Sequence, residues 1–286
     1  MDARITGTIL DRIVADRRIR LAEDRVRRPE AALHGLVRQA SPAIDFAMRL
    51  RNGRRATPPG ARLRLIGEVK RASPSKGVFD ANLDAVAQAR AYADAGAAAI
   101  SVLTEPDHFK GSIADLKGVR RAFGDDSDRP ALLRKDFIFD SYQVLEARAA
   151  GADALLLIVM MLEPEALVSL LAQTRALGMQ ALVEVHDEAE MRVALDAGAT
   201  VLGVNNRDLR TFTEDLGTTE RVAAAVPEGI TLVAESAIRH AADARRMAAC
   251  GAHALLVGEA LVTTGDIAGK ARELMLVGDV LDEVRA

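Results

Sequence analysis

The segment ALLRKDFIFDSYQVLEARAAGADALLLIVMM, residues 131–161, holds the pattern from which the fold can be read. Two short apolar runs, ALLRKDF (131–137) and ALLLIVMM (154–161), flank an Ala-rich amphipathic stretch that ends at Gly151. Runs that are apolar at nearly every position suit strands buried on both faces, and the intervening stretch has helical periodicity. The same unit recurs in both directions. LRLIGEVK (63–70) and AAISVLTE (98–105) precede it, and MQALVEV (179–185), TVLGVNN (200–206), TLVAES (231–236) and HALLVGE (253–259) follow, which makes eight strands. Between them lie helical patterns such as LDAVAQARAYADAG and DEAEMRVALDAG, each closed by a glycine suited to a left-handed helix cap.

DAGAAAIS, AAGADALL, DAGATVLG and ACGAHALL form an internal repeat that places Gly96, Gly151, Gly198 and Gly251 just ahead of strands. Their spacings of 55, 47 and 53 residues each correspond to two βα units. Eight such units without a GxGxxG fingerprint favour a closed (β/α)8 TIM barrel over a doubly wound nucleotide-binding sheet. ILDRIVADRRIRLAEDRV reads as an amphipathic helix and RNGRRATPPG as a linker, so residues 1–60 form an N-terminal helical extension and residues 61–286 the barrel, a single domain overall.

The chain has 286 residues, 49% of them apolar, which is enough for a large core. The net charge of -3 is carried in mixed-sign stretches, giving no reason to expect a nucleic-acid or membrane partner. The start of the chain lacks a signal-peptide core, and the longest apolar run, Ala154 to Leu162, is too short to span a bilayer. A single cysteine, Cys250, excludes an internal disulfide framework and fits a reducing, cytoplasmic setting. His34, His108, His186, His240 and His253 are scattered, with no HxH, HExxH or CxxC spacing, so a metal site is not expected. His186 follows a strand end and is read as peripheral. GxSxG is absent, which removes the nucleophile elbow of common hydrolases.

Substrate sites in such barrels lie at the C-terminal strand ends. The two-residue alternation of a strand puts Ile66, Glu68 and Lys70 on one face, and likewise Leu133, Lys135 and Phe137. The same step links Leu182 to Glu184, Gly203 to Asn205 and Arg207, and Val233 to Glu235. Gathering three carboxylates, two ammoniums and a guanidinium at one end is costly for a protein that needs only stability, so the pattern argues for acid–base chemistry by lysine and glutamate. Loops after strands seven and eight, AESAI and VGEAL, occupy the usual phosphate-binding place.

IGEVKRASPSKG, SVLTEPDHFKGS, LLRKDF, GADALLLIV, ALVEVH, GVNNRDL and AES-I occur in that order from Ile66 onward, and together they resemble the indole-3-glycerol phosphate synthase family. The resemblance implies conversion of 1-(o-carboxyphenylamino)-1-deoxyribulose 5-phosphate to indole-3-glycerol phosphate, carbon dioxide and water in tryptophan synthesis, with no cofactor and with the N-terminal helix over the barrel mouth. By the same motifs Lys135 is expected to be the general acid. Lys70 and Glu68 would position substrate and handle protons, and Glu184 would stabilise positive charge on the anilino nitrogen and remove the final proton. Asn205, Arg207, Glu235, Ser236 and Ser73 would bind hydroxyl and carboxylate groups, while Phe109, Phe137, Leu156 and Leu209 line an aromatic-ring pocket. Phosphate would fall to Ser236, Ala237, Gly258 and Glu259.

The chain departs from the family pattern at three places: Ala237 where glycine is usual, Glu259 where many members have serine, and Ala72 where some carry a phosphate-binding lysine. Lys76 is the candidate for supplying the missing charge, and a carboxylate at 259 is unfavourable beside a phosphate unless it turns outward. Whether burial or neighbouring carboxylates dominate the ionisation of Lys135 is open at this level. The rival readings are phosphoribosylanthranilate isomerase, whose chemistry pairs a cysteine base with an aspartate acid, and a non-catalytic ligand-binding barrel. The chain is expected to act as a monomer on a small anionic phosphate, with association to other tryptophan-pathway enzymes left open.

Overall fold

The computed structural model describes residues 3–278. Eight parallel strands close into a barrel: β1 (Arg64–Val69), β2 (Ala99–Leu103), β3 (Ala131–Lys135), β4 (Ala154–Ile158), β5 (Gln180–Val185), β6 (Val201–Asn205), β7 (Thr231–Glu235) and β8 (Ala254–Val257). Each pairs with the next in sequence, and β8 returns to β1 with Ile66 opposite Leu256. Nearly every strand residue is buried, because neighbours fill the barrel interior on one face and helices cover the other. The eight-strand barrel expected from the sequence is the fold observed.

After β1 come the helices α4 (Ala85–Asp94), α5 (Ile113–Phe123), α6 (Ser141–Ala149), α7 (Pro164–Ala176), α8 (Glu188–Asp196), α9 (Gly217–Ala223), α10 (Ala241–Ala249), α11 (Glu259–Val262) and α12 (Ile267–Leu274). Short polar side chains start many of them: Asp84, Ser112, Asp140 and Asp187 accept backbone N–H groups of the first turn. The four repeat glycines sit just past helix ends at φ of 88 to 92°, a conformation costly for any residue with a Cβ.

Several strands end earlier than expected: the second at Leu103 and the third at Lys135, each two residues early, and two further ends have a visible local cause. The fourth strand stops at Ile158, and Val159–Met161 turn into a short 3-10 helix. The eighth stops at Val257, because Gly258 already caps α11. In both places the chain has passed the last ladder partner, and apolar character alone cannot mark where pairing ends.

The N-terminal extension holds three helices rather than one, α1 (Ile9–Arg27), α2 (Glu30–Gln39) and α3 (Phe46–Asn52). The stretch read as a linker begins inside α3. That helix packs at the N-terminal strand ends, where Gln180 Oε1 accepts the Ala47 N–H at 2.9 Å and Arg51 reaches Thr231 Oγ1 at 2.8 Å. At the opposite end α1 lies over the barrel mouth and buries Leu10, Ile13, Val14 and Leu21. Each such burial is worth about 1.5–3 kcal/mol, so the helix is held by its apolar face. Its Arg17 is also buried and donates to Asp136 Oδ1 at 3.1 Å, immediately after β3. No helix among the described residues is long and apolar enough to cross a membrane.

Candidate active site

The C-terminal strand ends and the underside of α1 enclose one pocket. Lining it are Glu68, Lys70, Ser73, Phe109, Lys135, Phe137, Leu156, Glu184, Asn205, Arg207, Leu209, Glu235, Ser236, Ala237, Gly258 and Glu259; Lys76, also selected from the sequence, stands outside the lining beside Glu259. The strand alternation accounts for this convergence, since the inward step of each strand ends at the mouth.

Lys135 is the centre. Its Nζ lies 3.2 Å from Glu184 Oε2 and 3.2 Å from Glu235 Oε2, in a setting closed to solvent on the carboxylate side. Burial disfavours the ammonium, but the carboxylates of Glu235 and Glu184 outweigh it and hold Lys135 well above the usual lysine range. The resting site therefore presents a charged donor. Glu184 is held low despite its burial, chiefly by the Lys135 charge, and Asn205 Nδ2 donates to its Oε1 at 3.0 Å. Glu235 goes the other way: burial pushes it up to about 7, Lys135 opposes the rise, and the Glu184 carboxylate adds to it. Its Oε1 is buried without a hydrogen-bond partner, lying against Gly203, where an added Cβ would collide with it. Gly203 is thus fixed by the close approach of a site carboxylate.

On the opposite wall Lys70 pairs with Glu68 and lies 5.6 Å from the centroid of the Phe79 ring. Glu68 is buried and still held below the ordinary carboxylate range by the Lys70 and Lys135 charges. A Cβ at Gly258 would run into the Glu68 side chain, so the first residue after β8 leaves room for it. The apolar wall is built from Phe109 and Phe137, whose ring centroids are 5.8 Å apart, with Leu156 and Leu209. Glu105, fully buried, fixes the Phe109 loop by accepting the N–H groups of Asp107, His108 and Phe109. Ser73 is buried and accepts the Lys76 N–H at 3.3 Å within its small hairpin.

At the region assigned to phosphate, Ser236 and Ala237 have φ of 64 and 63°. The backbone takes the left-handed form that glycine favours, so Ala237 carries strain of roughly 1–2 kcal/mol. Glu259 does not turn away to solvent alone, as a carboxylate beside a phosphate was expected to do. It remains at the pocket wall, 3.5 Å from Lys76 Nζ and 3.9 Å from Arg207. Arg207 also binds Glu214 at 2.5 Å and Ser75 Oγ at 3.3 Å, and Glu214 in turn holds Arg239. Three cations and two carboxylates are thus brought together by the segments after β1, β6, β7 and β8, which leaves one positive charge in excess for an anionic ligand.

Three features went unread in the sequence. Ile9, Leu10 and Ile13 of α1 contribute to the lining, and so do Phe212, Glu214 and Arg239 from the loops after β6 and β7. Loop side chains carry no periodicity that would reveal their direction. The third is a correction: His186 is not peripheral. Its ring is largely enclosed, with Nε2 3.4 Å from Glu184 Oε1 and Nδ1 3.0 Å from Glu190 Oε2. Among the described residues no group of three or more His, Cys, Asp or Glu is arranged to hold a metal ion. Cys250 caps the C-terminus of α10 ahead of β8, at the barrel end away from the pocket, where it cannot serve as a base for the isomerase reading.

Solved structures with the same fold include 3-hexulose-6-phosphate synthase from Salmonella typhimurium, with a TM-score of 0.58, 18% identity, and coverage of 75% of this chain and 98% of that one. Another is thiamine phosphate pyrophosphorylase from Pyrococcus furiosus, with a TM-score of 0.56, 19% identity, and coverage of 76% and 96%. At that identity the likeness speaks for the fold alone. Sequence relatives are much nearer. The indole-3-glycerol phosphate synthase of Roseiflexus sp. (strain RS-1) is 51% identical over 270 residues, covering 93% of this chain and 98% of its own. That of Dehalococcoides mccartyi (strain CBDB1) is 49% identical over 268 residues, covering 93% and 100%. A multifunctional tryptophan biosynthesis protein of Schizosaccharomyces pombe matches at 46% over 273 residues, which is 94% of this chain and 35% of that protein. The family model for indole-3-glycerol phosphate synthase matches residues 10–274, and with it the chain belongs to that family of carboxy-lyases, which make indole-3-glycerol phosphate for tryptophan biosynthesis.

Proposed function

We propose that the buried triad of Lys135, Glu184 and Glu235 carries the proton transfers of ring closure, and that the ammonium held between two carboxylates is the observation on which this division of roles stands. Lys135 gives its proton to the substrate carbonyl oxygen as the aryl carbon bearing the carboxylate bonds to the carbonyl carbon. Positive charge then develops on the anilino nitrogen, and ionised Glu184 faces it. Loss of carbon dioxide returns an electron pair to the ring and quenches that charge. The new hydroxyl leaves as water after protonation by Lys70, and Glu184 takes the last carbon-bound proton, which completes the indole. Glu68 pairs with Lys70 and directs it, while Asn205 and Glu235 fix the geometry of Glu184 and Lys135.

The ring pocket of Phe109, Phe137, Leu156 and Leu209 holds the aromatic part. Ser73, Arg207 and Ser236 take hydroxyl and carboxylate groups, and the backbone around Ser236, Ala237, Gly258 and Glu259 takes the phosphate. In Glu184→Gln the amide keeps the shape but neither stabilises the cation nor accepts the proton. Turnover followed by indole fluorescence is expected to fall about 10²-fold or more, and undiminished kcat would remove Glu184 from this role.

Residues 1–60 act with residues 61–286 as one catalytic domain, because α1 closes the mouth with its own apolar side chains; residues 1–2 and 279–286 lie outside the described range. The enzyme acts on its substrate in the cytoplasm as a monomer. The S. pombe relative, named as multifunctional, supports association with other enzymes of the pathway.

Lys76 supplies phosphate affinity from the loop after β1, replacing charge absent at Ala72. Lys76→Ala is expected to raise KM several-fold with little change in kcat, since the interaction is the same in ground and transition states. Steady-state kinetics decide it, and unchanged KM would leave Lys76 with Glu259 alone.

A further inference from the structure

Two carboxylates compete for the single charge of Lys135, and a second cation is placed against only one of them. His186 follows β5 directly. Glu190, in the first turn of α8, accepts both the His186 backbone N–H at 2.9 Å and Nδ1 at 3.0 Å, which fixes the ring in one orientation. Nε2 then points back into the barrel, 3.4 Å from Glu184 Oε1, the oxygen that also receives the Asn205 amide. Asp187, the other acid beside the ring in sequence, is occupied in capping the Ala189 and Glu190 N–H groups. A neutral imidazole in this place would turn one lone pair toward a buried carboxylate, whereas the imidazolium offers an N–H to each side. Burial opposes the charge, but Glu184 and Glu190 outweigh it and push His186 up to about 10.

We propose that His186 is a positioning residue for the ring closure: clamped by Glu190 as an imidazolium, it aims Glu184 and keeps it ionised, so that of the two carboxylates around Lys135 it is Glu184 that stays free to accept a proton. The asymmetry of the pair agrees with this. Glu184 takes hydrogen bonds from Lys135 and Asn205 on its two oxygens and has His186 Nε2, which has no hydrogen-bond partner of its own, at an ion-pair distance of 3.4 Å, while Glu235 has Lys135 on one oxygen and no partner on the other. The inference rests on the reading of Glu184 given above. It adds that an acid on α8, outside the pocket lining, is coupled to the site through one ring.

The test combines kinetics with a signal that does not depend on turnover. In His186→Leu, kcat is expected to fall about 10- to 100-fold with KM within about 3-fold, and the acidic limb of the kcat profile to move up by about one pH unit or more, because Glu184 has lost a neighbouring cation. His186→Gln, which returns an N–H but no charge, should recover part of kcat and keep the displaced limb. Nitrogen NMR of the ring should show both nitrogens protonated at pH 7.5 in the wild type, and a lowered titration point in Glu184→Gln. A limb unmoved in both variants that fold with wild-type circular dichroism, or a neutral ring at pH 7.5, would overturn the proposal. Full turnover in Glu184→Gln would instead remove the role of Glu184, while the NMR signal would still report the charge of His186.

Discussion

Lys135→Ala is expected to lose a factor of about 10² to 10⁴ or more in kcat, the range associated with removing a well-placed proton donor. The measurement is indole fluorescence after addition of the anilino-deoxyribulose phosphate to wild type and variant, with chelator present in both. The reason for so large a loss is electrostatic as well as chemical. With the ammonium gone, Glu184 and Glu235 face each other across a buried gap, and one of them must take up a proton. Glu235, already pushed up to about 7, is the one that does so, and the variant lacks its acid while Glu184 stays ionised. Turnover equal to wild type would retain the enzyme and remove Lys135 from proton donation. No turnover in the wild type would contradict the activity of the family and point to the strained Ala237 and the paired Glu259.

The second large effect is on stability. Asp136, next in sequence to Lys135, is fully enclosed and accepts from Arg17 at 3.1 Å, Arg134 at 2.9 Å, Thr104 Oγ1 at 2.7 Å and the Phe137 N–H at 2.9 Å. Arg134 has a second anion in Glu146 at 2.9 Å, but for buried Arg17 the other acid, Asp24, stands 3.9 Å away. Asp136→Asn thus strands one buried guanidinium and halves the support of another. Removing one member of a buried pair typically costs 3–5 kcal/mol, or a fall in Tm of roughly 10 °C in a chain of this size. Calorimetry or a circular dichroism melt reads it directly. Because Phe137 and α1 hang on the same carboxylate, KM for the aromatic substrate should rise in the folded fraction. A melt within about 2 °C of wild type would show that the network contributes little beyond its own desolvation cost.

Lys135 and Asp136 are neighbours in sequence, yet their side chains have different partners. Lys135, the last residue of β3, meets the carboxylates of the substrate pocket, whereas Asp136, just past the strand and also at the pocket wall, is taken up by Arg17 of α1 and by Arg134. This gives α1 a physical role. It closes the pocket with Ile9, Leu10 and Ile13, and lifting it away would take Arg17 from the buried Asp136 carboxylate.

Local rules in the chain were enough for the barrel and for the identity of the residues at its mouth. Apolar runs of strand length separated by glycine-ended helices specify parallel strands, and a period of two assigns Glu68, Lys135, Glu184, Asn205 and Glu235 to the interior without reference to any neighbour. Tertiary structure alone decided which of those groups carry charge and how firmly they are held. The ionisation of Lys135, the difference between Glu184 and Glu235, the engagement of His186 and the pairing of Glu259 with Lys76 all depend on distances between segments far apart in the chain. Electrostatic energies vary inversely with separation and with local dielectric, and neither quantity is written in the order of residues along one strand. The same holds for α2 and α3, short helices whose stability comes from the barrel they pack against rather than from their own sequence.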